Sequence, residues 1–170
     1  MTGSTGDRPL LFLDVDGTLL PYRGARLPTT PEGWADWQDV SNPHLAQLDP
    51  RHGPRLLALP CALIWATAWM GDANRVIAPV LGLPDLPLAD LPAAPDEYEP
   101  GVLNWKTVAL VRVAAGRPFV WADDSVTDLD REWVSAHHRG HALLHRVDAM
   151  TGLVDADFVA VAEWLRDRQC

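Results

Sequence analysis

Lysine is almost missing from this chain: Lys106 is the single lysine among 14 basic residues, and the other 13 are arginine. An arginine bias of this kind follows genome composition, so the one surviving lysine raises the question of what a guanidinium could not do there. Cysteine is equally scarce. Cys61 and Cys170 are too few for a disulfide framework, and Cys61 sits in an apolar run, so reduced thiols and a cytoplasmic location are expected. Positive charge is in short supply overall: 14 basic residues face 23 acidic ones, a net charge of −9 with a pI near 4.9. That balance weighs against a free-standing nucleic-acid binder held by a broad basic face. No apolar run approaches the roughly 18–20 residues needed to span a bilayer, so no membrane association is expected. The polar start, Met1 to Arg8, leads into an apolar stretch broken by Asp14 and Asp16, which reads as neither a signal peptide nor an anchor.

What remains is an ordinary globular composition. The 170 residues, 48% apolar, suit a tail over residues 1–8 and a single folded domain over 9–170. Short apolar runs at Leu10–Val15, Cys61–Ala66, Phe119–Ala122 and Ala142–His145 read as buried strands. Helical patterns lie between and after them, over Asp72–Leu81, Asn104–Ala115 and Asp155–Arg168. Gly116 supplies a stop for the second, and Phe158, Val161, Ala162 and Leu165 share one face of the third. Alternation of this kind predicts an α/β three-layer sandwich around a parallel sheet of about five strands, the fifth near Leu86–Ala89. Residues 20–60 hold seven prolines with at most one helix, near His44–Leu59, and residues 84–101 hold five. Both read as elaborated loops, neither long enough for a second core.

Ligands bind open parallel sheets at the carboxyl ends of the strands. Here the first strand delivers Asp14-Val15-Asp16-Gly17-Thr18, the second Ala66-Thr67-Ala68-Trp69, and the one near residue 120 Asp123-Asp124. Lys106 falls in the first turn of a helix, where the positive end of the dipole disfavours a cation unless an anion is shared between them. Four carboxylates at one edge, opposed by one ammonium, would repel or hold protons. A divalent, oxygen-loving cation resolves the conflict, with Mg²⁺ the expected one, and leaves a position for a phosphate oxygen. One carboxylate could then attack phosphorus and another move protons, while Thr67 and Lys106 hold the charged oxygens.

The ordered set Asp14-x-Asp16-Gly17-Thr18, Thr67, Lys106, Asp123-Asp124 resembles the four motifs of the haloacid dehalogenase (HAD) superfamily, over residues 10 to about 128. The resemblance implies a Rossmann-like core, here without a separate cap domain. It also implies a role for each position. Asp14 would be the nucleophile, forming an aspartyl-phosphate, and Asp16 the acid and base, its carbonyl also a metal ligand. Thr67 and Lys106 would hold the phosphoryl group, and Asp14, Asp16, Asp123 and Asp124 would bind Mg²⁺. Thr18 would support the turn. By position rather than by the resemblance, Thr18, Ala68, Trp69 and Arg23 are the candidates to lie toward the substrate, with a solvated loop charge the competing reading of Arg23. An acid at position 16 is similar to phosphatases and unlike carbon–halogen hydrolases or transport ATPases in that superfamily. Phosphate-monoester hydrolysis is therefore the expected reaction. The tryptophans beside the second motif are also similar to HAD domains grouped with RNA-repair proteins.

Blander readings compete at each position. Asp-x-Asp alone can end a strand or hold a glycosyltransferase metal, and Asp123-Asp124 can cap a helix. Receiver domains share the residue types but carry the acidic pair first. A HAD-like binding module with little turnover, or a nucleic-acid-end phosphatase, remain the alternatives. Trp34, Trp37 and Trp69 read mainly as loop anchors, and His137, His138 and His141 as a solvated helix end rather than a metal cluster. Residues 20–43 are placed to act as a partial lid.

Overall fold

The computed structural model describes residues 8–168, so the expected tail, apart from Arg8, and Cys170 lie outside the described residues. The chain begins with β1 (Leu10–Leu13), followed by α1 (Pro31–Trp37), a 3-10 turn at Pro43–Gln47 and α2 (His52–Leu57). Next come β2 (Ala62–Trp65), a π-helical turn at Ala73–Ile77 running into α3 (Ala78–Leu81), and α4 (Thr107–Ala114). The chain then forms β3 (Phe119–Asp123), α5 (Asp128–His137), β4 (Ala142–Arg146) and α6 (Asp155–Arg166). The sheet is parallel throughout, in the order β2-β1-β3-β4.

β1 is apolar at every position because both of its faces are covered. Leu11 and Leu13 point into a core shared with Leu56 of α2, Leu81 of α3, and Phe158 and Leu165 of α6. Leu10 and Phe12 point the other way, into a core with Leu110 of α4, Phe119 and Trp121 of β3, and Val134 of α5. Period-two alternation thus divides one strand between two cores and produces the expected three layers. α2 and α3 approach so closely that a Cβ on Gly53 would lie 1.6 Å from the Leu81 carbonyl oxygen, which admits only glycine there.

Several expectations need correction. The sheet has four strands rather than five. Leu86–Ala89 is reduced to one bridge, Leu88 against Trp65, with Trp65 N–H donating to the Pro87 carbonyl and Ala89 N–H to the Trp65 carbonyl. Pro84 and Pro87 flank or interrupt this edge and remove the donors a longer ladder would need. The helix expected from Asn104 begins at Thr107, because Asn104 Oδ1 accepts the Lys106 N–H in a local turn at 3.0 Å. It ends with Ala115 itself in the left-handed region, φ 50°, one residue before Gly116. The proline-rich segment 20–60 holds α1, the 3-10 turn and α2 rather than one helix at most. His138 is buried: its Nε2–H donates to the Arg117 carbonyl at 3.0 Å and its ring packs edge-on to Phe119, so it is no solvated helix end. No helix among the described residues is long and apolar enough to cross a membrane.

Candidate functional site

In the order β2-β1-β3-β4 the chain leaves β1 toward β2 on one side and returns to β3 on the other. The crevice at the carboxyl ends of β1 and β3 is therefore the switch point of the sheet, where a ligand site is expected. Asp14 follows β1 directly and Asp123 is the last residue of β3. The Lys106 ammonium joins them, with Nζ 2.9 Å from Asp14 Oδ1 and 2.6 Å from Asp123 Oδ2. Asp14, Asp123 and Asp124 each offer an oxygen, and these atoms lie within 4.8 Å of one another. Three segments far apart in sequence thus converge on one point.

Local chemistry places each group. Gly17, at φ 74°, makes the turn after Asp16, and a Cβ there would lie 2.6 Å from the Asp124 carboxyl carbon. Glycine is thus required both for the turn and for the close approach of Asp124. Thr18 is fully buried; its hydroxyl faces Asp14 Oδ2 at 3.5 Å and its carbonyl accepts from Leu153 N–H. Lys106 is fixed from behind by a network that sequence reasoning missed. Asp130, wholly buried, accepts from Asn104 N–H and Thr107 Oγ1 through one oxygen and from Thr127 N–H and Oγ1 through the other. That carboxylate ties the start of α4 to the start of α5. The spacing Thr127-x-x-Asp130, a variant of the capping box, was the available signal.

The second strand contributes Thr67, buried, whose Oγ1 accepts the Trp69 N–H at 3.1 Å and keeps its own proton to donate. Ala68 is half-buried and its carbonyl receives Gln38 Nε2 at 3.5 Å. Trp69 is buried, with its indole Nε1–H donating to Asp16 Oδ2 at 3.0 Å. Trp37, the last residue of α1, donates to Asp16 Oδ1 at 2.8 Å. Segment 20–43 therefore does reach the site. Arg23 does not join the aspartates. It is exposed and lines a separate cavity of about 280 Å³ with Gln47, Asp49, Arg51 and His52.

Electrostatics follow from four carboxylates meeting one ammonium. Burial, then the charge of Asp123, raises the Asp14 carboxyl well above its ordinary range despite the opposing pull of Lys106. Burial and Asp123 likewise push Asp124 up to about 7. Burial raises Asp16 to about 6, against the lowering effect of the two indole hydrogen bonds. Asp123 moves the other way. Burial alone would raise it, but Lys106 and the Ser125 N–H and Oγ–H, at 2.9 and 2.6 Å, hold it below its ordinary value. Burial works against the Lys106 ammonium, yet Asp123 and Asp14 outweigh it and keep the lysine charged. Tyr22 and Tyr98, the chain's two tyrosines, also stand in this field: burial first, then the aspartates, raise the Tyr22 phenol. Neither tyrosine carries a motif, so sequence reasoning passed over them. Cys61, by contrast, is an inert core thiol that burial pushes up to about 12.

An excess of buried carboxylate over cation, with three oxygens this close, fits a divalent metal bound through oxygen. The expected consequence is measurable. Protons held by Asp16 at about 6 and Asp124 at about 7, against an ordinary 3.8, favour the folded state below those values. Metal-free stability should therefore fall as pH rises from about 4 through about 7. A divalent cation held by these carboxylates would compete with the same protons, so any rise in Tm on adding Mg²⁺ is expected to grow across that window. Thermal melts at acid and alkaline pH, with chelator and with Mg²⁺, check both signs. A flat metal-free Tm, or no response to Mg²⁺, would contradict this picture. Among known proteins, no family model, curated sequence or solved structure matches this chain.

Proposed function

We propose that this chain is a HAD-like, Mg²⁺-dependent phosphate-monoester hydrolase working through an aspartyl-phosphate on Asp14. The observation that carries the proposal is the Lys106 bridge between Asp14 and Asp123 at the switch point, with Asp124 beside them. A buried lysine between two strand-end carboxylates suits a site that must accept a dianion next to a nucleophile that is itself negative.

In this reading an Asp14 carboxylate oxygen attacks phosphorus as the ester P–O bond breaks, and Asp16 gives its proton to the departing oxygen. Asp16 then takes a proton from water as that water attacks phosphorus, and cleavage of the Asp14–phosphorus bond releases inorganic phosphate and restores Asp14. Lys106 and the Thr67 hydroxyl hold the equatorial oxygens throughout. Asp14 and the half-buried Asp124, with the Asp16 carbonyl, would hold Mg²⁺. Asp123 would offer the third oxygen of the cluster and, through its bonds to Lys106, Trp121 and Ser125, would also anchor the set from behind. When bound, the metal neutralises charge on the phosphoryl group and fixes its orientation.

The test is hydrolysis of p-nitrophenyl phosphate with Mg²⁺ and with chelator. Metal-dependent release of phosphate is expected, and an equal rate in chelator would overturn the mechanism.

A further inference from the structure

We infer that Trp37 and Trp69 are positioning residues that together clamp the Asp16 carboxylate in line for proton transfer to the leaving oxygen. This inference rests on the hydrolase reading above; it adds Trp37, which no motif supplies, and gives Trp69 a role toward the acid rather than the substrate.

Each indole takes a different oxygen: Trp37 Nε1–H donates to Oδ1 at 2.8 Å and Trp69 Nε1–H to Oδ2 at 3.0 Å. Two donors on two oxygens fix both the position and the plane of a carboxyl group that would otherwise rotate about its terminal bond. Indole is a suitable donor for this task. It donates and never accepts, and it carries no charge. An arginine or lysine in either place would hold the carboxylate by charge and suppress its protonated form. A neutral N–H orients the group while each oxygen retains a second lone pair for the travelling proton.

The two donors come from different segments, 21 and 53 residues from Asp16. Trp69 arrives with Thr67 in the turn after β2, where Thr67 Oγ1 accepts its backbone N–H. Trp37 arrives on α1, a helix with no fully buried residue. The Trp37 ring packs against the edge of the core that holds Leu11 and Leu13, and the other attachments are polar and local to the site. Gln38 reaches the Ala68 carbonyl, Asn42 Nδ2 reaches the Trp37 carbonyl at 2.9 Å, and His44 stacks on the Trp37 ring. His44 is itself tied to the Pro21 carbonyl at 2.7 Å. A helix that buries so little apolar surface is placed by what it touches, and it touches the acid.

The experiment compares Trp37→Phe with the parent on two esters. The nitrophenolate of p-nitrophenyl phosphate leaves with little help from an acid, whereas phenyl phosphate needs its leaving oxygen protonated. Trp37→Phe keeps the ring and removes the N–H. The expected loss is read in kcat/KM, which reports cleavage of the ester bond, with substrate affinity nearly unchanged, and is about 10-fold greater on phenyl phosphate than on the nitrophenyl ester. That is a fraction of the roughly 100- to 10,000-fold that acid–base catalysis supplies, as suits the loss of one of two positioning bonds. Trp69→Phe should show the same leaving-group dependence. In an Asp16→Asn background the added Trp37→Phe should cost nothing further, because the group it positions is gone. Equal losses on both esters, or an undiminished loss in that background, would overturn the clamp. Asp14→Asn separates the two levels: if it is inactive while the tryptophan losses are equal on both esters, only the clamp fails. If Asp14→Asn hydrolyses both esters at the parent rate, the reaction scheme itself fails.

Discussion

Asp14→Asn is expected to lower kcat by at least about 1,000-fold, since a covalent mechanism has no substitute for its nucleophile. The same change should leave the metal-free protein as stable as the parent or more so at neutral pH. Asp14 is a buried carboxylate raised by burial and by Asp123, so it destabilises the fold when ionised. Asparagine keeps the shape and an oxygen for Lys106 while removing one of the repelling charges. Activity and stability then move in opposite directions, as they do where a site holds strain for function. Paired measurements of kcat and Tm check this. A variant that loses both together would indicate that Asp14 serves packing rather than chemistry.

Lys106→Met should have the larger structural effect. The Lys106 ammonium is buried and within hydrogen-bond distance of two carboxylates that are also buried. Removing one partner from a buried ionic group leaves the others unpaired, a loss of about 3–5 kcal/mol. The loss should be greatest at alkaline pH and smaller near pH 5, because protons on Asp14, Asp16 and Asp124, all raised from their ordinary values, relieve the repulsion. Lys106→Arg should not rescue. The longer planar fork cannot occupy the place of a compact ammonium held 2.9 and 2.6 Å from its two partners. Denaturant unfolding at two pH values reads the stability, and arginine restoring both stability and turnover would count against this reading of the one lysine.

The elements that carry the site were legible in the chain because a parallel sheet has a simple geometry. Strands buried on both faces read as unbroken apolar runs, and strands running the same way end at the same edge. Asp14, Thr67 and Asp123-Asp124 each follow or end such a run, so their convergence is set by topology. Lys106 stood out by composition. What stayed hidden depends on contacts that no periodicity announces. Trp37 sits on a seven-residue helix inside a proline-rich stretch, and its partner Asp16 lies in a turn 21 residues earlier. Asp128 and Asp130 look alike in the sequence, yet the Asp128 carboxylate is exposed and paired with Arg131, whereas Asp130 is buried and carries four hydrogen bonds. The fifth strand failed because prolines remove the donors on which a ladder depends, a cost the apolar pattern at Leu86–Ala89 does not display.

The most direct test is to look for phosphate on Asp14 itself. In Asp16→Asn, with Mg²⁺ and p-nitrophenyl phosphate, nitrophenolate leaves without an acid but water attack on the intermediate has lost its base. Acid quench followed by peptide mass spectrometry should find one phosphoryl group on the peptide containing Asp14, labile to alkali and missing from the Asp14→Asn variant. Nitrophenolate release with no covalent phosphate, or with phosphate on another residue, would contradict the account.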